Sequence, residues 1–192
     1  MKNSPKKGQP GRIGYLKITN IIFIVASVLI CGGIFAYGYF TFKTRANLAT
    51  VIAVLCLLPA CKKLTNLIVI LPFKDTPKED VKKIYDVTAK ISDLPFDGVA
   101  EYTDMLFSTE QHVLRFADVV MTSSKVLVYS DMSDKLNQYA KDYFEKGLAK
   151  RRFEVKFTLY TGLNDYLAVL KRLDITEEVD GELVRYMHSL MM

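Results

Sequence analysis

No acidic residue precedes Asp75: the first 73 residues hold nine Lys or Arg and neither Asp nor Glu. All 21 acids fall in 74–192 against 17 bases, so that part sits at −4 although the whole chain is at +5. A positive total averaged over two such unlike segments does not mark a basic nucleic-acid-binding protein, and nucleic acid is not an expected partner. Cysteine is missing from the acidic part, because Cys31, Cys56 and Cys61 all lie in or at the end of an apolar stretch. That argues against a disulfide-stapled module and is compatible with the cytosol. Glycine never clusters into a phosphate loop: Gly98, Gly147, Gly162 and Gly181 stand alone. His112 and His188 are isolated, with no Cys near them to make a zinc set. No metal or cofactor is therefore expected, and no internal repeat appears.

What the chain has instead is apolar length. Ile18–Phe42 is uncharged over 25 residues, which as a helix reaches about 37 Å, more than the roughly 30 Å of a bilayer core. Tyr37, Tyr39, Phe40 and Phe42 crowd one end, as an interfacial aromatic belt does. After Lys43 and Arg45 comes Ala46–Cys61, a second uncharged run of 16 residues, or only about 24 Å. Lys62 and Lys63 are expected to stop that second span, with Leu64–Leu71 lying along the interface and Pro72 ending it. The two runs are so close in sequence that they form an antiparallel hairpin, with Gly32, Gly33 and Ala36 placed to face Ala49 and Ala53, a spacing that also suits a homodimer. Residues 1–17, basic and broken by Gly8, Pro10, Gly11 and Gly14, read as a disordered tail drawn to anionic headgroups. Positive charge flanks both ends of the hairpin more heavily than its turn. The expected arrangement is thus two spans in a plasma membrane with both termini cytoplasmic. The brevity and simple makeup fit a bacterial chain.

Residues 74–192 read as one soluble domain. Thr76-Pro77-Lys78-Glu79 has the form of a capping box with Pro at the first helical position, and Val81, Ile84, Tyr85, Thr88 and Ile91 line one face, so the spacing predicts a helix over 77–92. Runs rich in β-branched and aromatic residues at 99–107, 113–121 and 126–130 predict three strands. Ser108 and Gln111 also fit a helix start for the middle run, but its composition favours a strand. Leu136, Tyr139, Ala140, Tyr143, Phe144 and Leu148 recur at three and four, predicting a helix at 134–150. A strand at 153–160 and helices at 163–173 and 177–190 complete an order α-β-β-β-α-β-α-α. This is a small α/β sandwich with a mixed four-stranded sheet, attached to a two-helix transmembrane hairpin.

That α-β-β-β-α-β order resembles the core of the restriction-endonuclease-like nucleases. The resemblance is one of topology and covers roughly 100 residues. It implies an Asp on the second strand and an acid-x-Lys triplet on the third, which together hold Mg²⁺ and position a water. Asp118 stands where the first is required. The third strand, Val126-Leu127-Val128-Tyr129, has no acid followed two residues on by Lys; Lys125 precedes it with Ser123 in the acid's place. The catalytic candidates of a membrane-tethered hydrolase are therefore Asp118, Glu101 and Lys125, in a degenerate or unread site. A second set, Lys146, Lys150, Arg151 and Arg152, clusters with Lys156 at a helix end and is placed to meet anionic lipid or another anionic ligand, with Phe153 beside it. The leading expectation is a membrane-anchored protein whose cytosolic domain meets a protein or lipid partner.

Overall fold

The computed structural model describes residues 5–43, 48–92, 99–173 and 177–192. It divides into two compact units: Ile13–Lys74, and a second made of the N-terminal residues up to Arg12 together with Asp75–Met192.

The first unit is a pair of long apolar helices, α1 (Arg12–Phe42) and α2 (Leu48–Ile70). Helix α1 starts at Arg12, six residues before the uncharged run expected to form it. Helix α2 corrects a larger expectation. It does not stop at Cys61 and give way to a separate interfacial segment; it passes through Pro59, Lys62 and Lys63 to Ile70 without a break. At 23 residues it is about 35 Å long. Lys63 holds its ammonium 5.9 Å from the centroid of the Phe23 ring on α1, so one of the two charges that were expected to break the helix has an aromatic face beside it. Lys17, near the start of α1, donates to the carbonyls of Leu71 and Phe73 just past the end of α2. A cation there offsets the unsatisfied carbonyls and the negative end of the helix dipole. The pairing also makes the helices antiparallel neighbours. Of the small residues expected to meet, Gly32 and Gly33 make no such contact within the chain, since a Cβ at either would meet nothing within 4 Å, whereas Ala53 is buried. Of the expected turn at Lys43–Asn47, all but Lys43 lies outside the described residues.

The second unit is built on a sheet of order β1-β2-β3-β4, from β1 (Ala100–Ser108), β2 (Val113–Met121), β3 (Lys125–Tyr129) and β4 (Lys156–Tyr160). β1–β2 and β2–β3 are antiparallel hairpin pairs. β3–β4 is parallel, which requires a crossover; α4 (Asp134–Lys150) supplies it. Phe144 on α4 is the hub of one core, with ring centroids 5.0 Å from Phe107, 5.4 Å from Phe116 and 5.3 Å from Phe157. Leu183 and Met187 of α6 (Gly181–Leu190) join the same side. The opposite face is covered by Ile84 of α3 (Lys78–Ser92) and by Tyr166 and Leu170 of α5 (Leu163–Leu170). The expected element order is thus present, with helices on both faces of a mixed four-stranded sheet; β4 and α6 start later than expected, at Lys156 and Gly181, and α5 ends earlier, at Leu170.

Alternation slips once on β1 and once on β2, at the same rung. Tyr102, Met105 and Phe107 pack on the α4 side, as do Leu114, Phe116, Val119 and Met121, so each strand skips one step between its two halves. Asp104 sits at the skip on β1 with φ 53°, and the register on either side, Thr103 with Asp118 and Met105 with Phe116, is unbroken. The result is that Glu101, Thr103 and Asp118 face α3 and α5, and Asp104 is free to turn toward the sheet edge.

That edge is covered. Met192 N–H donates to the Leu106 carbonyl at 2.9 Å, and Thr103 N–H donates to the Gly8 carbonyl at 2.8 Å. Residues 5–11, expected to be a mobile tail, therefore lie along β1 in turn conformation, an ordering their composition did not suggest. Covering an edge strand removes a template for unwanted pairing. Gly8 has φ +79°, and a Cβ there would collide with the Tyr102 ring. Gly8→Ala is expected to cost about 1–2 kcal/mol locally and to release the segment. Faster amide hydrogen exchange at Thr103, with β2–β3 unchanged, is the expected readout.

Candidate functional site

Asp118 projects from β2 toward α5 and is fully buried, at 0% exposure. Its Oδ2 accepts from the Tyr166 hydroxyl at 2.8 Å and its Oδ1 from the Thr103 hydroxyl at 3.1 Å. Burial first, and then the neighbouring Glu101 carboxylate, push the Asp118 carboxyl well above its ordinary range. Glu101 is itself raised by burial, offset in part by a hydrogen bond with Thr88 of α3. Tyr166 is pushed well up by burial and by Asp118. The structure thus brings Asp118 and Glu101 together, and burial disfavours the charged form of each. Among the described residues no group of three His, Cys, Asp or Glu is placed to hold a metal ion.

Lys125 does not join this pair. β2 and β3 pair Asp118 with Tyr129 and Met121 with Val126, which puts Lys125 four residues along the sheet from Asp118, about 13 Å at the strand rise. The positions beside Asp118 that an acid-x-Lys triplet would fill are taken by Leu127 and Tyr129, both packed in the α3–α5 core. The nuclease-like order is present without its ligand set.

A second polar centre escaped the sequence reading. Asp104, 2% exposed, receives Gly11 N–H on Oδ2 at 2.9 Å, and Thr76 N–H and the Thr76 hydroxyl on Oδ1 at 2.8 and 2.6 Å. Arg115 lies 3.3 Å from Oδ1, donates to the Thr76 hydroxyl at 2.8 Å and reaches Asp131 at 2.6 Å. Gly11 comes just before α1 and Thr76 a few residues after α2. One carboxylate therefore gathers both chain segments by which this unit continues into the helical pair. The Thr76 hydroxyl, expected to cap α3, serves this clamp. A non-glycine residue at positive φ in a strand is strained, and Asp is among the few types that tolerate it. The signal available in the sequence was the three-residue apolar step Tyr102–Met105 facing a matching step Phe116–Val119.

The basic candidates separate. Arg151 lines an open cleft of about 450 Å³ together with Phe153, Glu182, Arg185, Tyr186 and Ser189, whereas Lys146, Lys150 and Arg152 are exposed and do not line it. The Arg151 guanidinium lies 4.4 Å over the Tyr186 ring, which stacks on Phe153 at 5.9 Å. Gly147 makes room for this: a Cβ there would collide with the Tyr186 hydroxyl. A glycine inside a helix costs about 0.5–1 kcal/mol relative to Ala, a cost explained here by the seating of Tyr186. The two histidines make ring contacts, His112 with Tyr139 at 5.0 Å and His188 with Tyr102 at 4.7 Å.

No known protein family matches the chain, and no curated protein or solved structure matches it either.

Proposed function

We propose that the chain is a two-span membrane protein that holds an α/β domain at the inner face of a plasma membrane, where the domain meets a lipid or protein partner. The observation that carries this reading is the surface of α1 and α2. Leu29 is 71% exposed and Phe40 76%, with Ile22, Ile30, Leu48, Val54, Leu58 and Ile68 also open. Both helices are long and apolar enough to cross a bilayer. Exposed apolar area on that scale, all along two helices, is far beyond the few hundred Å² that a monomer in water carries as a patch. Tyr37, Tyr39 and Phe40 at one end of α1 suit the headgroup region. Lys62 and Lys63 lie about 12 Å short of the end of α2 along its axis, a depth from which lysine stems snorkel outward. A catalytic reading gains nothing from the burial of Asp118 or from Leu127 and Tyr129 beside it.

Alkaline carbonate extraction of expressing cells tests the anchor. The chain is expected to stay in the membrane pellet and to leave it only with detergent. Release into the carbonate supernatant would refute an integral anchor.

A further inference from the structure

We propose that the cleft between the end of α4 and helix α6 binds a zwitterionic phosphate ester of the phosphoethanolamine type, the phosphate on Arg151 and Arg185 and the ammonium on Glu182. This deepens the reading above by naming the chemistry that the domain recognises, and it rests on that reading only for where the ligand is met.

The cleft offers a divided set of groups. Arg151 and Arg185 are fixed cations with forked donors suited to phosphate oxygens. Glu182 is a carboxylate in the same wall, and it would repel a simple dianion such as inorganic phosphate. The Ser189 hydroxyl already donates to the Tyr186 carbonyl at 2.7 Å, so what it presents to a ligand is a lone pair. Two donors of positive charge thus stand with two acceptors, a pattern matched by a molecule that carries an anion and an N–H cation a few bonds apart. The rings add to the match. Tyr186 holds Arg151 in place from below at 4.4 Å, and Phe153 gives the cleft an aromatic wall against which an ammonium is favourably placed. The volume of about 450 Å³ is in the range of small-molecule sites. Arg151 is prearranged, because Tyr186 is itself seated against Gly147 and Phe153.

The same chemistry occurs as a free metabolite and as the headgroup of phosphatidylethanolamine, and the test separates them. The full chain is reconstituted in phosphatidylcholine nanodiscs and titrated with phosphoethanolamine and with inorganic phosphate by NMR. Saturable binding of phosphoethanolamine, at least fivefold tighter than inorganic phosphate, is expected. Arg185→Ala, on an exposed face where folding is not at stake, is expected to weaken it at least tenfold, and Glu182→Gln to abolish the preference over inorganic phosphate. Arg152→Gly is the control: its positive φ of 62° suits glycine, it does not line the cleft, and binding is expected to be unchanged. Competition by phosphatidylethanolamine added to the disc assigns the lipid source, and its lack the soluble one; both outcomes uphold the site. Absence of saturable binding, or an equal loss in Arg152→Gly and Arg185→Ala, would overturn it, the latter by showing only a diffuse basic surface. Because the probe is soluble, its failure is separable from failure of the anchor, which carbonate extraction reads.

Discussion

Asp104→Asn is expected to destabilise the α/β unit by about 3–5 kcal/mol, the cost of breaking a buried ion pair by removing one partner. Asn keeps the shape of the side chain and, like Asp, tolerates the left-handed backbone at φ 53°, so the loss reports the charge together with the one acceptor oxygen that becomes NH2. Arg115 is 4% exposed, with Nε already lacking a partner among the described residues. Without the Asp104 charge its one ion-pair partner among the described residues would be Asp131, whose side chain is 55% exposed, beside the neutral Thr76 hydroxyl. The Asn oxygen can still accept from Thr76, but an NH2 group would stand where Gly11 N–H finds its acceptor, so the link between the two segments is lost. Two readouts follow, a lower thermal midpoint and faster amide exchange at Gly11. A double variant, Asp104→Asn with Arg115→Met, is expected to lose less than the sum of the two single changes, since the second removes the charge that the first leaves buried and uncompensated. Additive losses would mean that the two side chains do not act as a unit.

Asp118→Asn has the opposite sign. A carboxyl whose folded pKa is raised takes up protons on folding, so the stability it supplies is fully present below its unfolded value near 4 and falls as pH rises toward the raised value. The penalty is about 1.4 kcal/mol for every pH unit between the two pKa values that lies below the working pH. Asn imitates the neutral acid, its oxygen accepting from Tyr166 and its amide donating to Thr103. The variant is therefore expected to be more stable than the parent at neutral pH and equal to it in acid. Glu101 contributes a weaker dependence of the same sign. Thermal midpoints from about pH 4 to 8 check this: convergence of the two curves at low pH is expected, and parallel curves would refute a buried, proton-loaded Asp118.

Much of the fold was legible because the α/β unit obeys its local periods. The three-and-four spacing of Ala140, Phe144 and Leu148 marks the buried face of α4, and the composition of Val113–Met121 outweighed its helix-like start. What was not legible depends on contacts between residues far apart in sequence. Gly8 and Gly11 look like breakers in a loose tail until Tyr102 and Asp104 supply the surface they lie on. Lys62 and Lys63 look like a stop until a helix long enough to carry them, and a Phe23 ring beside one of them, make a continuous α2 acceptable. The candidate carboxylates were legible as residue types, but the face on which each sits was hidden by the paired slip at Asp104, which turns Asp118 inward with Glu101 and turns Asp104 toward the two connecting segments. Arg185, Glu182 and Ser189 lie some thirty residues beyond Arg151, so a reading by sequence clusters grouped Arg151 with Lys150 and Arg152 instead.

The central claim, two crossings with the domain on the cytoplasmic side, is tested most directly by alkaline phosphatase and green fluorescent protein fused in turn after Met192 in a bacterial host. Two crossings predict a fluorescent fusion and an inactive phosphatase. An active phosphatase with a dark fluorescent fusion would place the domain outside, and would mean that α2, with its two lysines, does not cross.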